Sequence, residues 1–294
     1  MLAEWLRQVG ETDIGARIHQ KRFMQACAEQ RSLDVAFRFS RLVSPPDLRV
    51  FNMLLSTCTA VGDTDAAFRA FRELQSSGLQ ADTVAFTALI SCCAQAGEVG
   101  RAFEAYAEMR GKGVKPNVVT FGALMDCLSR DIARAADAGN RKLVVARLAH
   151  CGTLQTEMGE AHVLPDSVVF NSLVCACGRA AAVHKPAIRL AFAALHEMSA
   201  LGLQACAYTY SALMDGCTRA GDPLRALAVW SEYVAVDHQL VLSPQLVGAA
   251  AHACAAAGDL ARAMSIYRDS LTRGMRPDGV LFAILMVCPF AFRF

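Results

Sequence analysis

Apolar residues recur along this chain with a helical period, and the period breaks at regular intervals. One recurring face carries an aromatic residue, a Leu three positions on, a second apolar residue beside it, and often a Cys four positions beyond the Leu. It runs Phe51/Leu54/Leu55/Cys58, Phe86/Leu89/Ile90/Cys93, Phe121/Leu124/Met125, Phe170/Leu173/Val174/Cys177, Tyr210/Leu213/Met214/Cys217 and Phe282/Leu285/Met286. Offsets of three, four and seven lie on one side of a helix. A second face follows each of the better copies: Ala67-Phe68-Phe71-Leu74, Ala102-Phe103-Tyr106-Met109, Ala226-Leu227-Trp230-Tyr233 and Ala263-Met264-Tyr267. Between the two faces stands a turn ending in Gly and an acid, at Gly62-Asp63, Gly97-Glu98, Gly221-Asp222 and Gly258-Asp259. Glycine suits the left-handed position that ends a helix, and the acid can cap the next one. Pro223 falls at a first helical position, where its missing N–H costs nothing. The pattern therefore predicts helix, tight turn, helix, many times over.

Each pair closes with a loop carrying Pro plus Asp or Asn: Pro46-Asp47, Pro116-Asn117, Pro165-Asp166 and Pro277-Asp278. Counting between these marks divides the chain into units at 17–47, 48–82, 83–117, 118–166, 167–206, 207–243 and 244–278, with a partial unit at 279–288. A helical lead-in (1–16) precedes them and a short tail (289–294) follows. One pair of this size cannot bury both apolar faces alone, whereas stacked pairs can. The expected fold is all-α, a right-handed α-solenoid superhelix of about seven to eight stacked helix-turn-helix repeats, instead of the two domains that length alone suggests. The 49-residue unit 118–166 carries extra sequence around Ser129–Arg147. Its Ala, Arg and Leu content predicts two lengthened helices with a turn near Gly139-Asn140; a mobile loop is the alternative.

Composition fits this reading. Of 294 residues, 54% are hydrophobic and 19% charged, which excludes a disordered or polyelectrolyte chain. No apolar run reaches the roughly 18 residues of a membrane span; Leu240–Gly258 is broken by Ser243, Pro244, Gln245 and His252. The net charge of +2 advertises no strong field for nucleic acid. The opening MLAEWLRQVGETD contains Glu4 and Glu11 and reads as neither signal nor transit peptide. Of the twelve cysteines, Cys27, Cys58, Cys93, Cys177, Cys217 and Cys254 occupy the eleventh position of their units, and Cys127 and Cys288 the tenth. A residue that recurs once per pair is a packing slot, not a metal ligand or disulfide partner. No cofactor or metal site is expected.

The 35-residue helix-turn-helix unit ending in Pro-Asp or Pro-Asn resembles the pentatricopeptide repeat (PPR) family, P-type. Leu48–Asp82 and Thr83–Asn117 are the best copies, and the resemblance extends over about 17–288. The wording FNMLLSTC, FTALISCCAQAGEV and FGALMDC is similar to a green-lineage chloroplast branch that stabilises the messenger RNA for the Rubisco large subunit. The resemblance implies single-stranded RNA, an organellar transcript, as partner, with other RNA-processing proteins possible and no membrane. It implies the chloroplast as location, with the mitochondrion second.

In the family, the fifth and last residues of a unit contact one base, and the second residue packs between neighbouring bases. Transferred here, Asn52 with Asp82 matches the pair associated with uracil, and Thr87 with Asn117 the pair associated with adenine. Asn171 with Cys206 suggests a pyrimidine without separating cytosine from uracil, and Ser211 with Ser243 leans towards purine. Gly122 with Asp166 and Gly248 with Asp278 lack a fifth side chain, and Lys21 with Asp47 fits no assignment. Base-sandwiching second residues are Arg49, Val84, Val119, Val168, Tyr208 and Val280, with Gln245 a poor wedge. The implied core, 5′ to 3′, is uracil–adenine–any–pyrimidine–purine. Asn and Ser near helix starts also serve simply as caps. No Walker loop, GxSxG elbow or deaminase signature is present, so no enzyme is expected. A protein-interaction solenoid without RNA readout is the alternative.

Overall fold

The computed structural model describes residues 17–43, 47–236 and 242–275. Over these residues the chain is all-α, with α1 (Arg17–Glu29), α2 (Leu33–Leu42), α3 (Leu48–Val61), α4 (Thr64–Ser76), α5 (Thr83–Ala96), α6 (Val99–Gly111) and α7 (Val118–Asp137). There follow α8 (Arg141–Glu160), α9 (Ser167–Ala180), α10 (Ala187–Ala200), α11 (Ala207–Arg219), α12 (Pro223–Val236), α13 (Pro244–Ala257) and α14 (Leu260–Thr272). Among the described residues two compact units form: one holds those up to Cys127 with Ala161–Val163, the other Leu128–Glu160 and those from Leu164 onward. Inside each, helical hairpins stack.

The turns form for the reasons the sequence suggests, with one exception. Gly62, Gly97, Gly221 and Gly258 have φ of +80°, +75°, +83° and +72°, a region that side chains with a Cβ enter at a cost. Asp63, Asp222 and Asp259 accept the backbone N–H of Ala66 (2.8 Å), Arg225 (3.1 Å) and Arg262 (2.9 Å). Glu98 does not cap α6. Its longer side chain reaches sideways, accepting from the Thr64 hydroxyl (2.9 Å) and the Arg101 guanidinium (2.9 Å).

Burial follows the two predicted stripes. Leu54, Leu55, Leu89, Ile90, Leu124 and Met125 are wholly buried, and so are the eleventh-position cysteines. Burying one such side chain stabilises by roughly 1.5–3 kcal/mol. Aromatic pairs join two of the second helices to the next first helix: Phe71–Phe86 (centroids 5.0 Å apart) and Tyr106–Phe121 (6.1 Å). Phe68 is only half-buried, and the Arg101 guanidinium lies over its ring at 4.1 Å. Arg69 over Phe37 and Arg225 over Phe192 repeat that contact between other successive second helices.

The extra sequence of the long unit is helical. α7 and α8 each run 20 residues, against 13 or 14 for most of their neighbours. Gly139 (φ +67°) turns the chain between them, and Asn140 caps α8 through the Leu143 N–H at 3.1 Å. The Asp131–Arg147 ion pair (2.7 Å) ties the extension together.

Candidate functional site

The last residue of a repeat is the N-cap of the next first helix, so the two roles open to these residues fall on the same side chains. Asp47, Asp82, Asp166 and Ser243 all accept backbone N–H groups from the helix they precede. A carboxylate has more lone pairs than capping uses. Asp82 Oδ1 takes the Ala85 N–H at 2.8 Å, and its two oxygens also receive Asn52 Nδ2 at 3.3 and 3.2 Å. Two residues 30 positions apart are thus joined. With Nδ2 turned to Asp82, the Asn52 Oδ1 acceptor is buried without a partner, a costly state for a polar atom.

Thr87 and Asn117 are joined indirectly, through a residue that pattern reading passed over. Buried Thr120 shares a 2.7 Å hydrogen bond with the Thr87 hydroxyl. Its own hydroxyl and N–H donate to Asn117 Oδ1 at 3.0 and 2.9 Å. No hydrogen bond among the described residues occupies Asn117 Nδ2, which leaves two donors at an exposed site.

The second unit repeats the device with Thr209, also fully buried. The Cys206 N–H donates to Thr209 Oγ1 (3.2 Å), and the Thr209 hydroxyl donates to Asn171 Oδ1 (2.5 Å). Asn171 Nδ2 lies 3.8 Å from Cys206 Sγ. Partial burial pushes the Cys206 thiol up, but hydrogen bonds from the Thr209 side chain and from the Thr209 and Tyr208 backbone outweigh it, and the thiol sits below its ordinary range. The buried cysteines behave oppositely: desolvation pushes Cys58, Cys93 and Cys177 up to about 12. Thr120 and Thr209 were findable, because each stands three residues after a cap, at capping-box spacing.

Elsewhere the pairing is weaker. Ser211 is buried and spends its proton on the Tyr208 carbonyl (2.9 Å). No hydrogen bond among the described residues joins it to Ser243. Beneath it, burial raises the pKa of Asp215 against the opposing pull of Arg219, His252 and Arg179. Asp278 and Val280 lie outside the described residues.

The second-position residues are large, apolar and exposed. Val84, Val119, Val168 and Tyr208 are 54–60% accessible, and Arg49 is exposed too. Grooves open beside them. One of about 350 Å³ is lined by Val84, Thr87, Asn117 and Val119 with Ser56, Thr59, Ala88 and Ser91. Another of about 420 Å³ includes Asn52, Val84 and Lys21 in its wall. Both volumes fall within the usual range for small-ligand sites. Among the described residues no cluster of three metal-binding side chains forms, and no helix is long and apolar enough to cross a membrane.

Models of the PPR repeat family match residues 46–95 and 81–130, and the PPR repeat matches 208–234. Over 66 residues the chain is 39% identical to the pentatricopeptide repeat-containing protein MRL1, chloroplastic, of Arabidopsis thaliana, covering 22% of this chain and 6% of that protein. A second Arabidopsis thaliana pentatricopeptide repeat-containing protein is 29% identical over 130 residues, 44% of this chain and 14% of the other. The chain therefore spans only a small part of the length of these relatives. In fold, it is similar to the PPR domain of Arabidopsis thaliana protein-only RNase P 1, solved in complex with tRNA. The TM-score is 0.51 at 18% identity, over 68% of this chain and 94% of that one. Two separate stretches, 46–130 and 208–234, thus match pentatricopeptide repeats, and helical hairpins lie beneath both matches.

Proposed function

We propose that the first-helix face binds single-stranded RNA, one base per repeat, and selects bases through the fifth and last residues. The observation that carries this reading is the repeated pairing of an exposed apolar second residue with polar groups left short of partners. At Asn52–Asp82 the Asn52 amide donates to the carboxylate, and the carboxylate's spare lone pairs are the acceptors on offer, which suits the N3–H of uracil and opposes the N3 lone pair of cytosine. At Thr87–Asn117 the protein offers the Asn117 amide donors for N1 of adenine and a Thr87 lone pair for the N6 amino group. Val84 and Val119 flank that groove as stacking partners. The net charge of +2 makes binding lean on bases more than on phosphates, so affinity should fall only shallowly with salt.

The biological role proposed is occupancy, in which a coated segment is closed to exonucleases and the transcript persists or is processed. The chloroplastic relative supports the chloroplast as location. The green-lineage wording of the repeats makes the Rubisco large-subunit messenger the first transcript to test.

Selection of bound RNA from a random pool tests the reading. Uracil followed by adenine is expected at adjacent enriched positions. Asn52→Thr with Asp82→Asn should turn the first of these to adenine, and persistence of uracil there would overturn the assignment. Gly122, Gly248 and the occupied Ser211 hydroxyl favour a second reading, a solenoid that holds a partner protein. Absence of any enrichment, together with one co-purifying protein in stable ratio, would select it.

A further inference from the structure

We propose that Thr209, third residue of its repeat, sets the base read by Asn171 of the preceding repeat, and sets it as cytosine. The inference rests on the RNA reading above and extends it to a residue outside the fifth-and-last pairing.

A planar amide has a donor end and an acceptor end, and whichever end the protein holds leaves the other for a ligand. The two asparagines at the fifth position are held by opposite ends. Asn52 is held by its NH2 group, which donates to both oxygens of Asp82. Its carbonyl oxygen has no partner but is buried, so the acceptors left at that step are the spare lone pairs of the Asp82 carboxylate. Asn171 is held by its carbonyl oxygen, on which the Thr209 hydroxyl closes at 2.5 Å. The direction of that bond follows from its surroundings. The Cys206 N–H can only donate, and it uses a lone pair of Thr209 Oγ1 at 3.2 Å. Cys206 Sγ lies 3.5 Å from the same oxygen, and the much shorter contact, to Asn171 Oδ1, takes the hydroxyl proton. What remains at Asn171 is the NH2 group, engaged only by the weak, long contact to Cys206 Sγ at 3.8 Å.

An outward donor complements the N3 lone pair of cytosine and meets the N3–H of uracil head on. The residue that makes the difference is third in its helix. Thr209 is there in one case; in the other it is Ala85, which has no hydroxyl to turn the Asn52 amide. Both are wholly buried, so neither touches the base. Thr209 is thus a positioning residue, acting through the amide of Asn171.

Two short RNAs, identical except for cytosine or uracil at the step facing Asn171, give the test with the full chain. The native chain should prefer cytosine by about tenfold, the usual order for one well-placed base contact. Thr209→Ser keeps the hydroxyl and should keep the preference. Thr209→Val keeps the shape and should lose it, while discrimination at the Asn52 step stays as it was. Cys206→Asp with Thr209→Ala rebuilds the Asn52 arrangement and should reverse the preference to uracil. Thermal unfolding of each variant separates misfolding from lost readout. If Thr209→Val retains the cytosine preference, or the native chain binds both RNAs equally, the inference falls and RNA binding stands. If the native chain binds neither RNA, the RNA reading falls and the inference falls with it.

Discussion

Two pairs of neighbouring first helices, one in each compact unit, solve the same contact in different ways. In α3 and α5 the twelfth residue of the repeat is Thr59, whose hydroxyl donates to the Ala88 carbonyl of the next first helix at 3.0 Å. In α9 and α11 the twelfth residue is Gly178, and the corresponding carbonyl is that of Ala212. A Cβ on Gly178 would stand 2.7 Å from that oxygen, and one on Gly216 would stand 2.7 Å from the Gly178 Cα. The first pair is joined by a side-chain hydrogen bond, the second by direct backbone approach. The repeats of this chain therefore share a register without sharing the contact that joins them. The fifth-position asparagines differ in parallel: Asn52 reaches the cap Asp82, whereas Asn171 reaches past the cap Cys206 to Thr209.

The largest expected contrast lies at the caps. Cys206 stands where Asp82 stands, exposed and with its thiol below the ordinary range, while Cys177 in the same unit is buried and pushed up to about 12. Thiolate is the reactive form, and Cys206, lowered and exposed, holds far more of it than Cys177. Alkylation of the native protein near pH 8, followed by peptide mapping, should modify Cys206 well before Cys177. The rate should rise with pH as Cys206 deprotonates, through a midpoint below that of an ordinary thiol. Equal labelling of Cys177 would show that the second unit opens freely. Next in size is the close approach itself. Gly178→Val drives a branched side chain into the Ala212 carbonyl and should cost about 3 kcal/mol, at the upper end for overpacking. Thr59→Gly loses one hydrogen bond and adds helix entropy, for about 1–2 kcal/mol. Urea unfolding of the two variants measures both, and equal losses would erase the distinction between the pairs.

Much of the fold was legible because its determinants are local. Gly62, Gly97, Gly221 and Gly258 demand a left-handed backbone, and the apolar offsets leave one face for burial. The turn at Gly139 was readable for the same reason. What escaped was set by neighbours distant in sequence. Nothing near Glu98 says that Thr64, 34 residues earlier, will claim its carboxylate in place of the α6 cap. Nothing near Asn171 says which end of its amide will be held, because Thr209 lies 38 residues on. Thr120 and Thr209 look like ordinary capping-box residues; only stacking puts Thr87 and Asn171 against them.

A smaller effect separates the two roles of Asp82. Asp82→Asn keeps an oxygen for the Ala85 N–H, so the α5 cap and the stability should change by less than about 0.5 kcal/mol. The variant loses the second carboxylate oxygen that steadies the Asn52 amide, and its own NH2 brings donors to an acceptor-only site. Affinity for RNA carrying uracil at that step should fall about five- to tenfold, with cytosine rising relative to it. If stability drops instead and base preference holds, Asp82 is a cap and nothing more.

The smallest expected effect tests whether a missing fifth side chain matters. Gly248 occupies the fifth position of its repeat, and a Cβ there would meet nothing within 4 Å. Its neighbour across the comparison, Gly178, is glycine because the next helix leaves no room; Gly248 has room and no such reason. Inside a helix, Ala is favoured over Gly by roughly 0.5–1 kcal/mol through the entropy of the unfolded chain. Gly248→Ala should therefore stabilise by that amount in urea unfolding, in contrast to the loss from Gly178→Val. Its RNA preference should stay unchanged, since a methyl group supplies no hydrogen bond. Gly248→Asn adds the amide that Asn52 and Asn171 carry, and Ser243 already sits at the head of that helix as its cap. New base selectivity at that step in the Asn variant, and none in the Ala variant, would mean that the repeat's backbone already stands where a base can be read. Indifference of both variants would confine readout to the repeats that hold their fifth-position side chain against the cap of the next.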